Sequence, residues 1–396
     1  MRRNDWARLV HQLLLEQAGG RMRILFLDPF HGGSHKAVAE GFARHSRHSV
    51  ELLTLPQDGG WRWRMRGAAV TFARMLREQA QQPGAAVARP RWDRIVTTDM
   101  LDLATFRGLT PDLTAGIPTA LYFHENQLTY PLPPGRARDL AFPWINYTSA
   151  LAADALFFNS DFHRRIFLEA LPGLLGRYHD YQERDAIAAI TARAQVLPPG
   201  IDLARLDMPD ARAARDDSQP PVILWNSRWE YDKGPATFFA ALRALAARGV
   251  DFRAIVVGEH IDPHAPEFAE AYDWLAPRLL AWGYVADLAD YRRLLWLADI
   301  VVSSALQEFF GIGVVEALYC GCVPILPRRL SYPELLPPEH HAACLYDADA
   351  DLVDQLHAAI HNLAELRTRD FRVIAARYDW QRMAPRYDAA LAALHE

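Results

Sequence analysis

Short apolar runs, each ending in a polar or glycine-rich turn and then giving way to helical spacing, recur along this chain. Met22 to Phe30 (MRILFLDPF) stops at Pro29 and is followed by the loop GGSHK, after which Ala37, Val38, Gly41 and Phe42 return at helical intervals. A run that is apolar throughout, with no in-and-out alternation, suits a strand covered on both faces of a parallel sheet. Arg94 to Leu101, Ile117 to Glu125 and Asp154 to Phe162 repeat the pattern. So do Val222 to Ser227, Phe252 to Glu259, Asp299 to Ala305, Val323 to Pro327 and Ala342 to Tyr346, with helical spacing between them, most clearly from Asp287 to Ala298. Repeated strand and helix units predict an α/β protein: parallel sheets with helices on both faces and ligands at the carboxyl ends of the strands.

One core rarely organises 396 residues, so two domains are expected. The break falls where periodicity lapses, between Pro198 and Pro221, a stretch rich in Pro, Asp and Ser. The chain therefore divides into an N-terminal extension (1–21), a first domain (22–203), a linker (204–221), a second domain (222–377) and a last helix within 378–396. In that helix Trp380, Met383, Tyr387, Leu391 and Leu394 share one face, which predicts packing against another part of the chain. The extension, with Arg2, Arg3, Asp5, Arg8 and Glu16 around a short apolar segment, lacks the pattern of an export signal. It reads as an amphipathic extension, or as an upstream start ahead of Met22.

The balance of 43 basic against 48 acidic residues argues against a general coat of positive charge and leaves room only for a local basic patch. Cys320, Cys322 and Cys344 are too few and too clustered for a disulfide framework, and without histidines at metal spacing they read as small buried residues. No run reaches the roughly 18 apolar residues that span a bilayer. A soluble, cytoplasmic protein is expected.

Chemistry concentrates at the predicted strand ends. EFFGIGVVE places Glu308 and Glu316 on either side of a glycine turn that opens a helix, so backbone N–H groups and two carboxylates meet at one crevice. Their offset of eight residues aims the two acids at different points, which suits the two ends of a long ligand better than a paired glycosidase dyad. NSRWEYDKG sets Arg228 and Lys233 beyond a strand and beside a helix start, a fork and an ammonium suited to a diphosphate that gains charge as it leaves. A surface ion pair of Arg228 with Glu230 or Asp232 is the alternative.

In GGSHK, Gly32 and Gly33 can let the backbone approach a phosphate, with Ser34, His35 and Lys36 as polar neighbours; a plain turn has the same signature. YFHENQ gathers His124, Glu125, Asn126 and Gln127 after buried hydrophobics, a set able to hydrogen-bond sugar hydroxyls. In WRWRMRG, Trp61 and Trp63 interleave with Arg62, Arg64 and Arg66, which is how bases stack while guanidinium groups meet phosphates. The same alternation by two also reads as an edge strand with one solvated face.

Together these motifs resemble the retaining glycosyltransferases of family 4, and within them the tRNA-queuosine α-mannosyltransferases. GGSHK, WRWRMR, YFHENQLTYP, LPPGID, NSRWEYDKG, EFFGIGVVEALYCGC and the turn Tyr332-Pro333-Glu334 carry the likeness, which runs from Met22 to about Trp380. It implies the GT-B architecture, two Rossmann-like domains facing a central cleft, with the last helix crossing back to the first domain. It also implies roles. Arg228 and Lys233 would hold the donor diphosphate, Glu316 the ribose, and Glu308 the transferred sugar, supported by the backbone amides of Phe310, Gly311 and Ile312. Gly33 would close on the phosphate from the other domain, and His124 would face the sugar. Phe309 stands where the common family pattern has glycine.

The reaction so implied moves mannose from GDP-mannose to the cyclopentenediol of queuosine in a tRNA anticodon, with retention and without metal or cofactor. Ser34, His35, Lys36, Trp61, Arg62, Trp63, Arg64, Arg66, Glu125, Asn126 and Gln127 would serve the acceptor side. A lipid or polysaccharide acceptor is the second reading, and a non-catalytic sugar-nucleotide or tRNA-binding protein the third.

Overall fold

A computed structural model describes residues 20–81, 91–132, 135–208, 219–259 and 266–394. The extension up to residue 19 and most of the stretch read as a linker (209–218) lie outside the described residues. Two six-stranded sheets organise the rest. The first contains β1 (Arg23–His31), β2 (Ser49–Pro56), β3 (Arg94–Thr98), β4 (Thr119–Phe123), β5 (Ala155–Phe158) and β6 (Ala194–Val196), in the order β2-β1-β3-β4-β5-β6. The second contains β7 (Val222–Asn226), β8 (Arg253–Val257), β9 (Leu279–Gly283), β10 (Ile300–Val302), β11 (Val323–Pro327) and β12 (Leu345–Tyr346), in the order β12-β11-β10-β7-β8-β9. All neighbours in both sheets pair in parallel.

The helices that matter for the site are α1 (Gly33–His45), α2 (Trp61–Ala80), α3 (Ala141–Ala152), α4 (Asp161–Leu175), α5 (Pro235–Ala247), α6 (Leu288–Leu297), α7 (Ile312–Tyr319) and α8 (Trp380–Ala392). Among the described residues no helix is long and apolar enough to cross a membrane. The three cysteines are buried thiols.

Two expectations need correction. WRWRMRG is not a strand but the opening of α2, because Met65, Ala68, Ala69, Phe72, Ala73 and Leu76 continue at a spacing of three and four and bury one helical stripe. The run ending at Tyr346 is mostly helical: His341–Cys344 forms one turn, leaving a two-residue strand.

α8 leaves the second lobe and packs on the first. Its Trp380, Met383, Tyr387 and Leu391 share a cluster with Met22, Ile24, Phe26, Val38, Phe42 and Tyr122. Arg94 donates to the carbonyls of Leu391 (3.0 Å) and Leu394 (2.8 Å), supplying partners that the last helical turn lacks. Where the chain crosses between lobes, Ile201 N donates to Tyr378 O (2.8 Å) and Trp380 N to Ile201 O (3.1 Å). Two glycines clasp the Trp380 indole: a Cβ on Gly41 would lie 2.0 Å from its Nε1, and one on Gly200 2.3 Å from its ring. Ile201, Leu203 and Leu206 already belong to the second core, so that core draws on residues before β7.

Candidate active site

The carboxyl ends of both sheets supply the candidate residues. In the second lobe, β7 runs into a loop that carries Arg228 and Lys233 to the start of α5. Gly234 ends that loop at φ +65°, and a Cβ there would sit 2.2 Å from Ser304 O, so a tight turn and a close backbone approach both require glycine. Lys233 is buried. Its Nζ donates to Gln307 O (2.8 Å) and lies 3.3 Å from Asp232 Oδ2 and 3.5 Å from Glu308 Oε2. Burial works to lower its pKa, but Glu308 and Asp232 outweigh burial and the pKa ends above the ordinary lysine value. The ammonium is therefore charged at neutral pH. Arg228 does form the ion pair foreseen as an alternative, 3.1 Å to Glu230, yet its side chain stays 44% exposed and keeps donors open to the cleft.

The loop after β10 brings Glu308 beside Lys233 and turns at Gly311 (φ +102°), which starts α7. Phe310 N donates to Glu308 Oε1 at 3.3 Å, so that amide and carboxylate already orient each other. Glu316, in the second turn of α7, is buried and faces different partners. Arg205 Nη2 lies 2.5 Å from its Oε1, and the Tyr291 hydroxyl donates to Oε2 at 2.7 Å. Asn226 Nδ2 in turn donates to Tyr291 (2.7 Å). Neither Arg205 nor Tyr291 was foreseen. Arg205 lies in the stretch read as linker, and Tyr291 on α6, where the sequence showed only helical spacing.

The first lobe presents stacked histidines. His35, on α1, lies over His124, at the end of β4, with ring centroids 3.9 Å apart. Both are buried, and His35 Nδ1 and His124 Nε2 have no hydrogen-bond partner. His35 Nδ1 is 3.8 Å from Asp28, whose other oxygen binds His31 at 2.7 Å. Burial lowers both pKa values, well below the ordinary value for His124; Asp28 opposes the shift of His35 while Arg228 and His31 add to it, and His35 and His163 add to that of His124, so both rings are neutral hydrogen-bonding groups at pH 7.

Gly32 is packed against Gln57 and Gly33 starts α1 at φ +51°, with Ser34 and Lys36 exposed nearby. Glu125 accepts from Gln127 Nε2 (2.7 Å). Asn126 is spent on its own turn: its Oδ1 accepts from Leu128 N and Thr129 N, and its Nδ2 donates to Thr129. The expectation that Asn126 offers its side chain to an acceptor fails for that reason.

Asp99, at the end of β3, was also unforeseen as a site residue. Its Oδ1 accepts from His124 N (2.8 Å) and Glu125 N (3.4 Å), while Oδ2 is buried without a partner. Burial, reinforced by Glu125, pushes its pKa well up despite those amides. A carboxyl whose folded pKa is raised stabilises the fold fully below its unfolded pKa of about 4, and that contribution is lost as pH climbs through the raised value. Asp99→Asn keeps the Oδ1 acceptor and cannot ionise. Its urea midpoint should therefore decline less than the wild type's between pH 5 and pH 8, the gap opening by about 1.4 kcal/mol for each unit of raised pKa crossed. Parallel pH profiles would show that Asp99 is ionised throughout.

The acceptor-side aromatics and arginines separate on α2. Arg62 and Arg66 lie one turn apart and are exposed, Arg66 pairing with Asp139 at 2.7 Å. Trp63 is 61% exposed, its ring lying over Gly67. Trp61 instead packs on Phe142 (4.9 Å), and Arg64, with its side chain 12% exposed, donates to Pro56 O. The expectation that Arg64 faces a ligand fails, because the helix turns it back onto β2.

Comparison with known proteins shows the family. Residues 23–201 match the family model for the tRNA-queuosine alpha-mannosyltransferase N-terminal domain, and residues 220–365 match glycosyl transferases group 1. The chain is 33% identical to the tRNA-queuosine alpha-mannosyltransferase of Drosophila melanogaster over 341 residues, 84% of this chain and 86% of that protein. The chain belongs to the tRNA-queuosine alpha-mannosyltransferase family. Members of this family are glycosyltransferases, and the fold agrees. Sucrose-phosphate synthase from Thermosynechococcus elongatus superposes with a TM-score of 0.67 at 16% identity, over 94% of this chain and 99% of that one. Anabaena HepE, crystallised with UDP, gives 0.66 at 18% identity, over 94% and 100%. The fold of this chain is thus GT-B.

Proposed function

We propose that this protein transfers mannose from GDP-mannose to a hydroxyl of the cyclopentenediol of queuosine in a tRNA anticodon, in the cytoplasm, with retention of the α configuration and without a divalent cation. The observation that carries the reading is Lys233, buried and charged, beside Glu308 and in the loop that presents Arg228. Two fixed cations and the start of α7 suit a diphosphate whose charge grows as it leaves. Glu316 accepts one protein donor on each oxygen, and an ionised carboxylate has about four acceptor positions, so capacity remains for both hydroxyls of a ribose. His35 and His124 each bury a polar atom that a sugar or acceptor hydroxyl would satisfy. In the step itself the bond from the sugar's anomeric carbon to the phosphate oxygen breaks and the bond to the acceptor oxygen forms on the same face. The acceptor proton passes to the leaving phosphate oxygen.

The test uses purified protein, tRNA with and without queuosine, and a panel of GDP- and UDP-sugars, followed by digestion and weighing of the nucleosides. A hexose increment confined to queuosine-containing tRNA and GDP-mannose is expected. Transfer to a lipid-linked acceptor, or a requirement for a UDP-sugar, would overturn the assignment. For the tRNA itself, replacing Arg62 and Arg66 together by alanine should weaken binding and flatten its dependence on log salt by about 1.5, as expected for two lost phosphate contacts. Arg64→Ala should leave that slope unchanged. Equal slopes for all three proteins would remove α2 from the acceptor surface.

A further inference from the structure

The two lobes touch beside the cleft, and two of those contacts end on neighbours of the donor groups. The first is Phe309. It is buried between Glu308 and Phe310, and its ring lies on the imidazole of His163, with centroids 3.9 Å apart and planes 25° from parallel. His163 belongs to the first lobe, in the opening turn of α4, and does not move freely. Its Nδ1 is bonded to Asn159 Oδ1 (2.8 Å), and Phe123 and Phe158 meet it edge-on at 85° and 86°. Burial keeps its pKa well below the ordinary value, so the stack joins two neutral rings.

The second contact is Tyr130, from the loop after β4, whose hydroxyl donates to Asp232 Oδ2 at 3.1 Å. That same oxygen lies 3.3 Å from Lys233 Nζ. Arg138 fixes the Tyr130 backbone by donating to its carbonyl at 2.6 Å. The Tyr130 ring is also 6.2 Å from Phe309, so the two contacts are adjacent. A third contact, farther from the donor groups, brings the Glu334 carboxylate to the N–H groups of Asp161 (2.8 Å) and Phe162 (2.6 Å), at the start of the same α4.

We propose that Phe309 and Tyr130 are positioning residues through which closure of the two lobes sets Glu308 and Lys233. The inference rests on the transfer reaction proposed above. Phe309 ties the Glu308 loop to the aromatic core of the first lobe, a hold from across the cleft that adds to those Ser331 and Lys233 supply from within the second lobe. Tyr130 shares Asp232 with Lys233 and draws part of its acceptor capacity away from the ammonium, leaving Lys233 readier for the diphosphate. A donor bound while the lobes are apart meets an incompletely fixed sugar site, and its anomeric carbon is open to water. With the lobes together, both groups are fixed and water is excluded.

The experiment compares wild type, Phe309→Ala, Phe309→Trp and Tyr130→Phe by calorimetric GDP affinity, kcat and KM for transfer, and the share of GDP-mannose hydrolysed instead of transferred. Phe309→Ala should bind GDP within about threefold of wild type, since Phe309 packs on His163 and is not among the groups assigned to the diphosphate, while kcat for transfer falls by about 30- to 100-fold and the hydrolysed share rises. Phe309→Trp should restore most of kcat, because an aromatic ring can still stack on His163. Tyr130→Phe should instead weaken GDP binding by about three- to tenfold, as Asp232 pairs more fully with Lys233.

Unchanged kcat and hydrolysis in Phe309→Ala would overturn the proposal. So would parallel losses of GDP affinity, kcat and thermal midpoint, which would mark a packing role alone, or a failure of Phe309→Trp to recover. If wild type modifies no queuosine yet Phe309→Ala still hydrolyses GDP-mannose faster, the acceptor assignment fails and the coupling stands.

Discussion

Lys233→Ala will lower kcat/KM for the sugar donor by about a thousandfold, the scale seen when one fixed group that stabilises developing charge is removed. The position explains the size. Lys233 is buried against Asp232, Glu308 and the Gln307 carbonyl, so no water-exposed cation can move in to replace it. The same burial makes the variant less stable, because two carboxylates lose their counter-ion; breaking a buried pair on one side costs about 3 to 5 kcal/mol. Arg228→Ala separates the two effects. Its side chain is 44% exposed against 23% for its partner Glu230, so activity should fall by about a hundredfold with a smaller stability loss than Lys233→Ala shows. A Lys233→Ala protein that folds normally and transfers sugar at the wild-type rate would refute the assignment of the diphosphate site.

Trp380→Ala should cost about 3 to 5 kcal/mol of stability, as large-to-small changes at fully buried aromatics do. The indole is 1% exposed, packs with Phe42 and Tyr387, and fills the space left by Gly41 and Gly200. The same residue begins α8 at the crossing point, where its N–H bonds Ile201 O. Gly41→Ala and Gly200→Ala should mimic part of the loss by pushing the ring out of place. Urea unfolding of all three variants measures this, and a change under about 1 kcal/mol for Trp380→Ala would mean that α8 contributes little to holding the first lobe.

The central strands were legible in the sequence because they are covered on both faces and read as unbroken apolar runs, as in β4, β5 and β11. The strands that were missed, β2, β6 and β9, are all sheet edges, only partly buried, and their sequences lack that signal. In the site, candidates clustered along a short stretch stood out in the sequence: Arg228 with Lys233, Glu308 with Glu316 on the helix that follows, and His124 at a strand end. Asp99, Tyr130, His163, Arg205 and Tyr291 did not, because each gains its meaning only from what the fold sets against it, even where, as for Tyr130, the segment itself stood out. Asn126 misled for the opposite reason. Its polarity suggested a ligand, whereas the spacing to Thr129 marks a turn that consumes the amide locally.

The return of α8 to the first lobe also bears on how this protein comes off the ribosome. The face formed by Met22, Ile24, Val38 and Phe42 meets its covering helix only after the whole second lobe has been translated, a delay of roughly 10 to 40 s at ordinary elongation rates. During that interval the nascent first lobe carries a bare apolar face, which makes it a natural client for chaperones that hold exposed hydrophobic surface. Its final, native packing is therefore a late, long-range event rather than a local one.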